Sequence, residues 1–162
     1  MPNIRTVNLS TTELNSVIAD LKLSLNDLKQ KNMEFVQRMT DRGKALVEEN
    51  IMELGKINAF STGELFNSVI SVYDATSNVG IVEVTSEHAK FVEYGTGVQG
   101  TGTHPDPPAG WSNRQTPWIY ENPKGSKQWF ITDGEPAAPF FYNARNELED
   151  EKLRIAKEVF RK

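Results

Sequence analysis

The chain contains no cysteine, which excludes disulfides, thiolate metal sites and cysteine nucleophiles together. Histidine occurs only at His88 and His104, too little for a histidine-rich metal centre. No apolar run approaches the ~18 residues of a membrane-crossing helix, so no membrane partner is expected. The N-terminus MPNIRTVNLS lacks the basic-then-apolar layout of a secretion signal, which predicts a soluble, intracellular protein. An excess of basic charge is missing as well. Lys and Arg total 18 against 22 Asp and Glu, which argues against a protein that wraps nucleic acid through a dense cationic surface. What is present, 38% hydrophobic and 25% charged residues in 162, suffices for one modest core. We therefore expect a single domain over 1–162, with 1–9 as an N-terminal arm.

Residues 10–57 read as helical. Ser10 and Glu13 have the spacing of a capping box, and apolar residues recur at Leu14, Val17, Ile18, Leu21, Leu25 and Leu28 with the period of one helix face. A second stripe runs through Phe35, Val36, Met39, Leu46, Val47, Ile51 and Leu54. The polar stretch Lys29–Asn32 is the expected break if these are two helices, and Gly55 is the expected stop. Residues 64–94 read as antiparallel strands: Leu65–Tyr73 and Val79–Val84 are rich in β-branched and aromatic residues around a turn-like Asp74–Asn78, and Glu87–Tyr94 is a third candidate. A long loop is expected over 95–117, since eight of the sixteen residues Gly95–Gly110 are Gly or Pro. Trp118–Glu121 and Lys127–Thr132, joined by Asn122–Ser126, predict a hairpin over 118–132. Residues 140–162 read as a helix with interleaved charges, Asp150–Arg154 forming an i,i+4 pair. The expected fold class is α+β: a long N-terminal helix or helix pair and a C-terminal helix packed on a small antiparallel sheet.

Chemistry-bearing patterns are sparse. His104 and Asp106 form a lone His-x-Asp in a Pro-rich loop, a weak metal signal whose bland reading is two exposed polar residues. The glycines at 95–97 and 100–102 follow a strand candidate, but no helix opens after them and the Gly-Lys-Ser/Thr of a phosphate loop is missing. No cofactor is expected. Glu93 shares strand parity with apolar Ala89 and Phe91, so its carboxylate needs a cationic partner or backbone amides nearby. A structural or inter-subunit ion pair is the reading for it. Trp111, Trp118 and Trp129 lie close in sequence without basic neighbours, a pattern of satellite cores and protein interfaces that could also stack a sugar. No nucleophile–base pair emerges, and a catalytic role is not expected. A small hydrolase built on Glu93, His104 and Asp106 is the enzymatic alternative, and a carbohydrate- or peptide-binding module using the Trp-rich hairpin is the other.

Three segments are familiar together. Thr62-Gly63-Glu64-Leu65-Phe66-Asn67-Ser68-Val69 resembles a Thr-Gly-x-Leu-x-x-Ser-Ile signature that follows a long N-terminal helix. His88-Ala-Lys-Phe-Val-Glu-Tyr-Gly-Thr-Gly97 resembles a Tyr-Ala-x-x-Val-Glu-x-Gly-Thr strand. Pro139-Phe140-Phe141-Tyr142-Asn143-Ala144 resembles a Pro-Phe-Leu-x-Pro-Ala element that opens the last helix. In this order they resemble the neck or tail-completion proteins of long-tailed bacteriophages, a putative tail-component family typed by the tenth gene product of a lambda-like coliphage, over about residues 58 to 144. His88 and Asn143 depart from the usual Tyr and Pro.

The resemblance implies a non-enzymatic virion structural protein at the head–tail junction. Its copies would form a homo-oligomeric ring between a head-side connector or adaptor protein and a tail terminator or tail tube protein. DNA would pass non-specifically through the lumen, which the mild net negative charge would suit. The positions carried over are those of fold and assembly: Thr62, Gly63, Leu65, Ser68, Ala89, Val92, Glu93, Gly95, Thr96, Pro139, Phe140 and Ala144. Gly63 would turn the chain into the first strand, Gly95 and Gly97 would release it into the loop, and Pro139 would start the last helix. Trp111, Trp118, Trp129 and His104 are then the candidate contacts between subunits or rings.

Overall fold

The computed structural model describes residues 10–57, 62–121 and 128–161. The expected N-terminal arm 1–9 and the expected turn Asn122–Ser126 lie outside them, as does Lys127. A helix α1 runs unbroken over Thr11–Ile57. Its start shows one half of the expected box, the Ser10 hydroxyl accepting the Glu13 amide (3.4 Å), and the same hydroxyl donates to the Glu13 carboxylate (2.7 Å). Lys29–Asn32 does not break it, because polar residues without Gly or Pro interrupt only the apolar face and leave the backbone ladder intact. Gly55 does not stop it either. On the flanks Asp27–Lys31 and Glu34–Arg38 pair at 3.0 and 2.6 Å one turn apart, the arrangement that supports an exposed helix.

The C-terminal helix α5, Phe140–Phe160, lies antiparallel along the second half of α1. Leu46, Val47 and Ile51 from α1 meet Phe140 and Ala144 from α5 in the core, and Ile155 and Val159 are buried further along. Phe35 meets Phe160 at the far end, ring centroids 6.0 Å apart. Between these ends Arg42 grips Glu151 through Nε (3.1 Å) and Nη2 (2.8 Å) and reaches Glu49 through Nη1 (2.9 Å). Arg154, expected to pair with Asp150, instead donates to Glu151 and Glu158.

Two guanidinium groups on one carboxylate hold Glu151 down to about 2, the Arg42 hydrogen bond contributing most. A carboxyl depressed by folding stabilises the fold above its unfolded value, and that contribution is lost as pH falls towards the folded one. We expect urea midpoints to fall as pH drops from about 5 towards 2, and the fall to be shallower in Glu151→Gln. Identical pH profiles for the two proteins would refute this.

A short helix α2, Thr62–Asn67, occupies what reads in sequence as the start of the first strand. Gly63 is therefore a helical residue and not a turn. Leu65 from α2 and Val69 from the start of the following strand both enter the core. The strands β1 (Val69–Asp74) and β2 (Val79–Val84) pair antiparallel, Val69 opposite Val84 and Asp74 opposite Val79. The turn forms where expected: Asp74 accepts the Thr76 amide (2.8 Å) and the Ser77 hydroxyl (2.6 Å), and Asn78 takes the left-handed backbone at φ 53°. The ribbon lays Val82 and Val84 against the core and leaves Ile70, Val72 and Ile81 outward.

The third expected strand is a helix, α3, over Ala89–Tyr94. Helical spacing turns Ala89 and Val92 onto the core and Phe91 outward. A single turn α4 (Gly97–Gly100) follows, and the loop continues irregularly. The hairpin forms as β3 (Trp118–Glu121) and β4 (Trp129–Thr132), Trp118 opposite Thr132 and Glu121 opposite Trp129. A two-residue strand β5, Gly134–Glu135, bridges antiparallel to Thr96–Gly97. The architecture is mixed α+β, with long first and last helices and small two-stranded antiparallel sheets.

Candidate functional site

The densest polar arrangement lies where α3, the Gly/Pro loop and the start of α5 meet. Pro139 is the N-cap of α5 and has no side-chain acceptor for the free amides of the first turn, which every helix must satisfy somehow. Glu93, one turn beyond Ala89 on the buried side of α3, fills that role from another element. Its Oε2 accepts the Phe141 amide (2.8 Å) and its Oε1 the Tyr142 amide (2.9 Å). The carboxylate is 5% exposed and sits at the positive end of the α5 dipole.

His104 completes the group. Its Nε2 lies 3.1 Å from Glu93 Oε1, and its Nδ1 accepts the Asp106 amide at 3.0 Å. Since Nδ1 is an acceptor, the ring proton sits on Nε2 and is donated to Glu93. Both ring nitrogens are thus engaged. The imidazole is buried, against the expectation of an exposed polar residue, and gives the buried Glu93 carboxylate a donor. Asp106 is exposed as expected, with its carboxylate 3.5 Å from Arg145. Glu93, His104 and Asp106 do come together, but Asp106 acts through its backbone.

Aromatic rings surround the clamp. Tyr94 lies 4.8 Å from both the His104 and the Trp111 ring, and Tyr142 meets His104 edge-on at 5.5 Å. Burial, and then the charges of Glu93 and Asp106, push the Tyr94 hydroxyl above its ordinary range. Beside these rings opens a cavity of about 240 Å³ lined by Tyr94, Trp111, His104, Asn113, Gln115 and Thr101. The Trp111 indole donates to Asn113 (2.9 Å), and Gln115 to the Thr101 hydroxyl (3.2 Å). Among the described residues no three His, Asp or Glu side chains converge as a metal site would require. No helix there is long and apolar enough to cross a membrane.

The other expected positions divide by location. Leu65, Phe140 and Ala144 are in the core, with Ala89 and Val92 packed against it. Ser68 joins α2 to β1: its hydroxyl donates to Leu65 O (2.7 Å) and its carbonyl accepts the Thr85 amide (3.0 Å). Thr62 opens α2. Gly95, at φ 71°, ends α3, not a strand, and the Thr96 hydroxyl accepts the Glu135 amide (3.1 Å). Trp111 and Trp118 are half-buried, and the tryptophans do have a basic neighbour, since the Arg114 guanidinium lies over the Trp118 ring at 5.6 Å. Trp129 is exposed.

Sequence reasoning missed Tyr94, Tyr142 and Thr103. Thr103 ties the loop down by accepting the Ala137 amide and donating to Gly100 O, both at 2.8 Å. No linear pattern signals these three, whose contacts to His104 and Ala137 span 10 to 38 residues of the chain. Compared with known proteins, the chain matches no family model, no curated protein and no solved structure.

Proposed function

We propose that the chain is a structural subunit of a long-tailed phage virion: a neck or tail-completion protein at the head–tail junction, assembled in the host cytoplasm. Its copies form a ring that joins the head-side connector or adaptor to the tail terminator or tail tube and lets DNA pass without specific contact. The reading rests on the three-motif resemblance, and one observation favours it. The three segments, far apart in sequence, are mechanically one unit. Glu93 of the second holds the Phe141 and Tyr142 amides of the third, the Ala138 amide donates to Val92 O (2.9 Å), and Leu65 and Val69 of the first share a core with Phe140 and Ala144. A non-catalytic role agrees with the clamp, in which the Glu93 oxygens and the His104 nitrogens are all committed to structure. The outward apolar residues Ile70, Val72 and Ile81 of the first ribbon and Ile119, Trp129 and Ile131 of the hairpin are surfaces that ring neighbours would cover.

A second reading draws on the aromatic cavity and on exposed Trp129: a binding module for a carbohydrate or peptide. Electron microscopy of particles made by a phage lacking this chain separates the two. Filled heads and finished tails that fail to join, or tails with aberrant head-proximal ends, are expected. Normal virions that lose only adsorption would sink the neck reading and favour the binding module.

A further inference from the structure

Helix α5 ends at Phe160, opposite Phe35, so the first two dozen residues of α1 project past it by roughly 35 Å. That stretch carries Leu14, Ile18, Leu21, Leu25 and Leu28, each between 41% and 64% exposed. Their spacing alternates four, three, four and three residues, a 3.5-residue period and therefore a straight seam for another helix rather than the broader face a globular core takes. With Leu14 at a d position, Ile18 and Leu25 fall at a, Leu21 and Leu28 at d, and Asn32 at the next a. The register then runs on into Phe35 and Met39. The seam is thus continuous with the face that α5 covers.

We propose that residues 14–32 pair with the same segment of a second copy of this chain as a parallel, in-register coiled coil. The polar and charged positions select this occupant. In parallel register the exposed Asn32 meets its own counterpart, the arrangement by which a single buried Asn fixes register in paired helices. The flanking g-to-e contacts set Val17 against Lys22, Ser24 against Lys29, and Lys31, itself paired with Asp27, against Val36. No like charges meet. An antiparallel alignment that keeps the leucines in contact sets Asn32 against Leu14 of the second copy and Lys22 against its own counterpart, burying an amide without a partner and opposing two ammonium groups. The helix is already formed and anchored by α5, so pairing carries little of the ordering cost that makes short isolated coils marginal. The inference does not rest on the virion reading: it comes from the helix alone, and its test uses the purified chain.

Because the chain has no cysteine, single cysteines report directly on register. Leu14→Cys and Leu28→Cys are each expected to cross-link with their own kind under mild oxidation. Leu23→Cys, at the off-seam f position, is expected not to. In sedimentation equilibrium Leu21→Lys is expected to weaken dimer formation by about tenfold or more, while Leu23→Lys leaves it unchanged. All four sites are exposed, and circular dichroism verifies that each variant folds. Cross-linking only in a mixture of Ile18→Cys and Leu28→Cys would mean an antiparallel pair and overturn the proposal. So would a monomer at all concentrations, equal cross-linking at position 23, or an oligomer indifferent to Leu21→Lys.

Discussion

Glu93→Ala is expected to lower the free energy of unfolding by about 3–5 kcal/mol. The side chain is small, but three donors converge on it: the Phe141 and Tyr142 amides and His104 Nε2. Truncation strands all three in a largely buried site, at ~1–3 kcal/mol for each buried group left unmade. It also removes the anion from the positive end of α5. Glu93→Gln keeps one oxygen for an amide while turning an NH2 group towards the other donors, so it should fall between wild type and alanine. Urea denaturation gives the magnitudes. Amide exchange gives the location, since Phe141 and Tyr142 should lose protection before the middle of α5. A loss below ~1 kcal/mol would show that α5 does not depend on this carboxylate.

Gly134→Ala should be nearly as damaging for an unrelated reason, at roughly 2–4 kcal/mol. Gly134 sits at φ 96°, where a side chain is strained in itself. It also crosses Gly97 in the bridge between β5 and the loop, and a methyl group there would come within 1.9 Å of the Thr96 carbonyl oxygen. The only relief is to part the two backbones, which detaches the base of the hairpin from the loop below α3. Increased proteolysis near residue 134 should accompany the lower midpoint. Wild-type stability and cleavage in Gly134→Ala would refute the close crossing.

The sequence-level reading succeeded where local chemistry decides the structure. The Ser10–Glu13 box, the Asp74–Asn78 turn, the Trp118 hairpin and the Pro139 helix start are each set by a few neighbouring residues. It failed at residues 87–94 for a definable reason. Ala89 and Glu93 share a face whether the period is 2 or 3.6, because four residues is both two strand repeats and about one helical turn. Phe91 and Val92 separate the alternatives: a strand would turn Phe91 inward and Val92 outward, whereas Phe91 is 45% exposed and Val92 packs against the core. Hence the demand for amides around Glu93 was legible while the element that carries it was not. The burial of His104 was not legible because it follows from contacts to Glu93 and to rings distant in the chain. The choice between one helix and two at Lys29–Asn32 was open in the sequence, and one helix forms because a polar interruption of an apolar stripe changes what a helix faces and not whether it forms.

The projecting end of α1 has a hydrodynamic consequence. A 47-residue helix is about 70 Å long, whereas a compact globule of 162 residues has a radius of gyration of only about 15 Å. A rod of that length raises frictional drag without raising mass. The monomer should therefore leave a gel-filtration column ahead of compact standards of equal weight, and a subunit number read from elution volume alone would come out too high.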